Sequence, residues 1–116
     1  MTSYEFFCAL EDFSLKDVVN CFIEEFKNGR PNARVLILRD EPMRYRGTKR
    51  ERAFYASLCD FYCNWYNLPI PPWLDKEEYI LDEPWYPYGH IVDQKKTPLE
   101  FKKRNIFIGQ NDVTIC

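Results

Sequence analysis

Residues 48–67 read TKRERAFYASLCDFYCNWYN and predict the central helix of the fold. Thr48 and Glu51 match a capping box, in which each side chain bonds the other residue's backbone at a helix start. Leu68-Pro69 ends the helix, because proline cannot continue it. Two adjacent apolar stripes run along this segment: Phe54, Leu58, Phe61, Tyr62 and Trp65; Tyr55, Cys59, Cys63 and Tyr66. Apolar character on two faces predicts a helix that other helices surround.

Further helices are predicted on both sides of this segment. One begins at Thr2 or Ser3, and another follows the cap Ser14 and ends at Asn28-Gly29. Short helices are also predicted over residues 75–81 and after Thr97, where threonine would be the cap and Pro98 the first helical residue.

Two segments have other or ambiguous patterns. Residues 33–39 fit a strand by their β-branched residues and a short helix by Asn32 and Pro42, and we favour the helix. Residues 106–108 form a short apolar run, which predicts either a strand or an extended segment docked on the core. The sequence therefore predicts a mainly α, single-domain bundle of four to six helices over residues 1–116, with an extended C-terminal tail.

Composition narrows the class of protein. The chain has 116 residues, 46% of them hydrophobic, with a net charge of -2 and nine Phe, eight Tyr and three Trp. This balance predicts a packed domain rather than disorder. Only four glycines are present, and neither of the glycine-rich phosphate-binding patterns G-x-G-x-x-G and G-x-x-x-x-G-K occurs. No apolar stretch reaches the length of a membrane span, and five irregularly spaced cysteines predict reduced thiols and a cytoplasmic protein.

Candidate catalytic and metal-binding residues are few. His90 is the single histidine, and no local motif pairs it with a nucleophile. Cys59 and Cys63 lie one helical turn apart, but a zinc site usually offers C-x-x-C pairs and more than one histidine. The sequence therefore predicts a non-enzymatic protein without a metal or cofactor.

Two groups of residues are candidates for binding. Aromatic residues on proline-stiffened segments, together with one arginine, suit a protein interface or a lid over the central helix: Trp73, Trp85, Tyr86, Tyr88 and Arg104. Basic residues near aromatic ones can contact phosphates of a nucleic acid: Arg44, Arg46, Lys49, Arg50, Lys102 and Lys103. The acidic overall balance favours the protein interface over the nucleic acid.

Four motifs in the second half of the chain support a resemblance. T-x-R-x-x-A begins at Thr48, L-P-x-P-x-W at Leu68, L-x-x-P-W-Y at Leu81 and T-P-x-x-F-x-x-R-N-I-F-I at Thr97. Over about residues 48–108 the chain resembles small bacterial proteins encoded beside nucleotidyltransferase-like proteins in proposed toxin–antitoxin pairs.

The resemblance implies an antitoxin-like module that binds a protein partner encoded nearby. The alternative is a small nucleic-acid-associated or regulatory protein of a mobile element, which would use the basic residues.

Overall fold

The structure, a computed structural model, describes residues 2–29, 41–42, 47–88 and 94–109. Helices dominate these ranges, in which the only β-pairing is one isolated bridge. The α-helices in the described ranges are α1 (Ser3–Ala9), α2 (Leu15–Asn28), α3 (Lys49–Trp65) and α4 (Leu99–Lys102). Short 3-10 turns span Pro72–Asp75, Glu77–Tyr79 and Gln94–Lys96. The predicted mainly helical class is confirmed.

The chain divides into two compact units, Met1–Gly47 with Ile115–Cys116 and Thr48–Thr114. We call them the N-terminal unit and the C-terminal unit. In the N-terminal unit, the Phe6 and Phe22 rings meet edge to face with centroids 5.8 Å apart, which joins α1 to α2. The single-domain organisation predicted from the sequence stays a prediction.

Side-chain caps define the starts of both helices in the N-terminal unit. The Thr2 hydroxyl accepts from the Glu5 N–H at 3.2 Å, and the Glu5 carboxylate accepts from the Thr2 N–H at 3.0 Å. The Ser14 hydroxyl accepts from the Asp17 N–H at 3.2 Å. Since α2 ends at Asn28 with Gly29 as its C-cap, its predicted start and end are both confirmed.

Helix α3 is the central element of the C-terminal unit. The Thr48 hydroxyl accepts from the Glu51 N–H at 3.1 Å, and the Glu51 carboxylate accepts from the Thr48 N–H at 2.8 Å. Every residue of 53–63 is buried, so α3 is covered on all its faces over three turns. The predicted capping box and the predicted central position are confirmed.

The short helix predicted over residues 75–81 is confirmed only in part and its bounds are wrong, because a 3-10 turn spans Glu77–Tyr79 alone. Lys76 has extended backbone angles and separates the turn Pro72–Asp75 from the turn Glu77–Tyr79. The break turns Tyr79 inward, where its ring meets Trp73 edge to face at 5.5 Å. Tertiary packing of aromatic rings therefore overrides a weak local helix preference in this segment.

The cap predicted for the helix after Thr97 is also wrong. Pro98 occupies the N-cap position of α4 without a side-chain hydrogen bond. The buried Thr97 hydroxyl instead donates to the Ile108 carbonyl at 3.0 Å. Ile108 lies in a buried segment, where an unbonded carbonyl is costly, so the tertiary bond displaces the local one.

Residues 106–108, for which the sequence predicts an extended tail, lie near the end of the described residues, and the extended C-terminal tail as a whole stays a prediction. Trp85 and Ile106 pair in a parallel bridge: the Trp85 N–H donates to the Asn105 carbonyl at 2.8 Å, and the Phe107 N–H donates to the Trp85 carbonyl at 2.9 Å. Ile106, Phe107 and Ile108 are buried. The predictions for residues 33–39, Arg44, Arg46 and His90 lie outside the described residues. None of the described helices is long and apolar enough to cross a membrane.

Candidate functional site

A buried arginine joins three elements of the C-terminal unit. Arg104, which is 2% exposed, lies two residues after the end of α4. Its Nη1 donates to Asp60 Oδ2 on α3 at 3.0 Å and to the Glu100 carbonyl on α4 at 2.7 Å. Its Nη2 donates to the Leu74 carbonyl in the turn Pro72–Asp75 at 2.8 Å. The guanidinium thereby ties this turn and α4 to the central helix.

A second cation, Lys103, forms an ion pair with the same carboxylate oxygen of Asp60. Lys103 Nζ lies 2.6 Å from Asp60 Oδ2, and the Lys103 side chain is 46% exposed whereas the Asp60 side chain is 4% exposed. The carboxylate is therefore held between one buried cation and one cation at the surface. Asp60 is not among the residues predicted from the sequence, although an isolated acid within the apolar part of α3 is a signal, because a buried charge needs a partner.

The prediction of Arg104 as a partner-binding anchor conflicts with its placement. The guanidinium is buried on Asp60, where it stabilises the unit rather than facing a partner. Trp73 is similarly placed: it is 7% exposed, and its ring stacks on Tyr55 with centroids 6.4 Å apart. Both residues lie in the interior, where Trp73 contacts a ring and Arg104 bonds a carboxylate and backbone carbonyls of the same unit.

Trp85 lies over α3 and keeps part of its surface exposed. The edge-to-face contact with Phe54 on α3 has a centroid distance of 6.2 Å. The Arg50 guanidinium lies over the Trp85 ring at 5.6 Å, which is cation–π geometry. Tyr88 also packs against Phe54, with ring centroids 6.1 Å apart. This segment therefore covers the central helix, as the lid interpretation expects, and still presents Trp85 and Tyr88 at half-buried positions.

Tyr86 is the exposed aromatic residue of this segment. Its ring stacks on Phe107 with centroids 5.5 Å apart and an interplanar angle of 28°. Its hydroxyl accepts from Gln94 Nε2 at 2.6 Å, while the residue stays 39% exposed. We call Arg50, Trp85 and Tyr86 the aromatic face.

Next to Arg50 lies an open cleft of mixed charge. It has a volume of about 310 Å³ and is lined by Lys49, Arg50, Leu81, Asp82 and Glu83. Lys49 Nζ lies 3.7 Å from Asp82 Oδ2 across it, an exposed ion pair. Charges of both signs around an apolar floor are typical of the polar rim of a protein interface.

The predicted phosphate-binding residues do not stand apart from other charges. Of the four described ones, Lys49 pairs with Asp82, Arg50 covers Trp85 and Lys103 pairs with Asp60. Lys102 is exposed on α4. A nucleic acid would therefore compete with internal partners for three of these four side chains.

The cysteines of α3 are buried thiols. Burial raises the pKa of Cys63 to about 11 and raises that of Cys59 well above its ordinary value, with neighbouring groups as smaller causes. Such thiols stay protonated and unreactive at neutral pH. Over the described ranges, no three His, Cys, Asp or Glu side chains come together in a group that could hold a metal ion.

Comparison of the chain with protein-family models, with curated proteins and with solved structures finds no match. The link with nucleotidyltransferase-like partners stays a prediction from the sequence motifs.

Proposed function

We propose that this protein is a non-enzymatic protein-binding module and that the aromatic face receives the partner. In this proposal the chain is one cytoplasmic bundle of four to six helices. Its partner is a nucleotidyltransferase-type protein encoded nearby, which it neutralises in the manner of an antitoxin. The identity of the partner rests on the motif resemblance, and the binding face rests on the geometry of the C-terminal unit.

The observation that carries this proposal is that the Tyr86 side chain is exposed and is also held in place by neighbouring residues. An exposed tyrosine normally loses side-chain freedom when it enters an interface, at a cost of about 0.5–1.5 kcal/mol. The stack on Phe107 and the hydrogen bond from Gln94 already hold this ring in place. The backbone pairing of the adjacent Trp85 with residues 105–107 keeps the segment rigid. A preorganised ring beside an arginine is the type of group that dominates interface energies.

The polar and thiol groups inside the C-terminal unit are buried or paired, which supports binding rather than catalysis. Asp60 and Arg104 neutralise each other inside the unit, and the thiols of Cys59 and Cys63 are buried. A general base or nucleophile must reach its substrate, whereas these groups are engaged in holding the fold. The pairing of Lys49, Arg50 and Lys103 with internal groups likewise favours a protein partner over a nucleic acid.

Co-purification with the adjacent gene product tests the proposal. We expect Tyr86→Ala to weaken the complex by about thirtyfold, as truncation of an interface anchor does, and to restore the toxicity of the partner. Tyr4→Ala is the matched control, because Tyr4 is 52% exposed in the N-terminal unit and lies outside the aromatic face. His90→Ala should also bind as the wild type does.

A folded Tyr86→Ala protein that binds as tightly as the wild type would overturn the aromatic face as the binding site. Binding of generic DNA or RNA at submicromolar affinity and near-physiological salt would instead support the nucleic-acid alternative.

A further inference from the structure

A second, smaller cleft lies beside the buried Arg104. It has a volume of about 160 Å³ and is lined by Leu74, Asp75, Lys76, Ile80, Lys103 and Arg104. Leu74 and Asp75 belong to the turn Pro72–Asp75, Lys76 and Ile80 flank the turn Glu77–Tyr79, and Lys103 and Arg104 follow the end of α4. Its volume is below the range of about 300–1,000 Å³ that is typical of sites for drug-sized ligands, so it suits a small group.

Among the described residues, Arg104 and Lys103 keep N–H groups that form no hydrogen bond. A guanidinium has five N–H bonds, and within the described residues Arg104 uses two on Nη1 and one on Nη2. Among the described residues these bonds leave one N–H on Nε and one on Nη2, and these two nitrogens can bond two oxygens of one ligand. An ammonium has three N–H bonds, and within the same residues Lys103 uses one, toward Asp60.

The charge of the cleft favours an anion. Three cations, Lys76, Lys103 and Arg104, line it against one acid, Asp75. Asp60 offsets one further charge from below, so the groups together remain positive by one unit. Arg104 is 2% exposed, and an anion beside a desolvated guanidinium is attracted more strongly than at an open surface.

We propose that this cleft binds a small oxyanion, a phosphate or carboxylate group, through the Arg104 guanidinium edge and the Lys103 ammonium. Leu74 and Ile80 provide an apolar wall for the part of the ligand that carries the group. Of the basic residues that the sequence singles out for phosphate, only Lys103 lines this cleft. The site is separate from the aromatic face in its residues and does not depend on the proposed protein partner.

Titration of the ¹⁵N-labelled full chain followed by NMR tests this site. Sodium phosphate and sodium acetate are added in separate series at constant ionic strength, with sodium chloride as the reference. We expect saturable shifts in the low millimolar range for the amides of residues 74–76, 80 and 103–104 and for the Arg104 Nε–H. The anion that binds more tightly identifies whether the site prefers phosphate or carboxylate.

Two variants and one control make the test specific. Lys103→Gln should weaken binding by about tenfold, because it removes one charge-assisted donor. Ile80→Glu should abolish binding by placing a carboxylate at the cleft, and it leaves the buried Asp60–Arg104 pair intact. Lys16→Gln makes the same charge change as Lys103→Gln, but in the N-terminal unit, and should bind as the wild type does.

Shifts that chloride reproduces, or that do not saturate, would overturn the proposal. So would wild-type affinity in folded Lys103→Gln, or in Ile80→Glu if the lysine variant does not fold. Because no partner protein is used, these outcomes are independent of the co-purification experiment.

Discussion

Asp60 is a carboxylate on a fully covered part of α3, and its two cations explain why a charge is tolerated there. Removing a carboxylate from water costs several kcal/mol unless an opposite charge and hydrogen bonds replace the water. Arg104 and Lys103 supply both, at 3.0 and 2.6 Å from the same oxygen. The pair specifies how α4 and the turn Pro72–Asp75 attach to α3, since Arg104 also bonds carbonyls of both elements.

Loss of the buried charge should be far more costly than loss of an exposed one. We expect Asp60→Asn to lower the free energy of unfolding by about 3 kcal/mol, because it leaves Arg104 buried without its counter-ion. Asp82→Asn is the matched control: its side chain is 93% exposed in the pair with Lys49, and the expected loss is below about 1 kcal/mol. Urea denaturation followed by circular dichroism measures both. Equal losses would contradict the assigned role of Asp60.

Helices α3 and α4 are stabilised in different ways. Helix α3 has its own capping box and two apolar stripes, so local pattern and packing agree. Helix α4 has four residues and no side-chain cap. Its position depends on Phe101, whose ring centroid lies 5.3 Å from that of Phe54 on α3. It also depends on the hydrogen bond from the Thr97 hydroxyl to the Ile108 carbonyl. Short helices of this kind are stable only through tertiary contacts.

The tertiary role of Thr97 can be separated from a capping role by substitution. Thr97→Val keeps the shape but leaves the buried Ile108 carbonyl without its donor, and we expect a loss of about 1–2 kcal/mol in unfolding free energy. Thr97→Ser retains the hydroxyl and should lose much less. Thr97→Asn would preserve stability only if the side chain acted as a helix cap. Thermal or urea denaturation of the three variants decides between the two roles.

Protonated groups buried on α3 make the stability of the protein depend on pH. Burial raises the pKa of Cys63 from 9.0 to about 11 and raises that of Tyr62 as well, with Tyr66 and Tyr88 as smaller causes for Tyr62. When pH rises above about 9, these groups lose protons in the unfolded chain before they do so in the native one. Stability is therefore complete below pH 9 and falls as pH rises toward 11.

The alkaline loss should depend on Cys63. We expect the unfolding free energy of the wild type to fall between pH 9 and 11, with a contribution from this thiol of at most about 1.4 kcal/mol per pH unit. Cys63→Ala should show a shallower slope, whereas Cys21→Ala, at an exposed position, should match the wild-type slope. Urea denaturation at pH 8, 9, 10 and 11 provides the slopes. A Cys63→Ala slope as steep as that of the wild type would refute the assignment.

Features whose interactions lie within one or two helical turns are predictable from the sequence. The caps at Ser14 and Thr48, the end of α2 at Gly29 and the buried character of α3 all follow from residues three or four positions apart. Such neighbours meet in any helix, whatever the remainder of the chain does, so spacing is enough to predict them.

Which groups face inward, and which groups pair, depends on contacts between segments that are distant in the chain. Asp60 and Arg104 are 44 residues apart, so no local spacing indicates that they meet, and Arg104 alone is equally consistent with an exposed anchor. The same applies to Trp73, which Tyr55 buries, and to Thr97, whose hydroxyl bonds Ile108. Burial and charge neutralisation depend on the packing of distant segments, and that packing leaves Tyr86 exposed and Arg104 at the floor of a cleft.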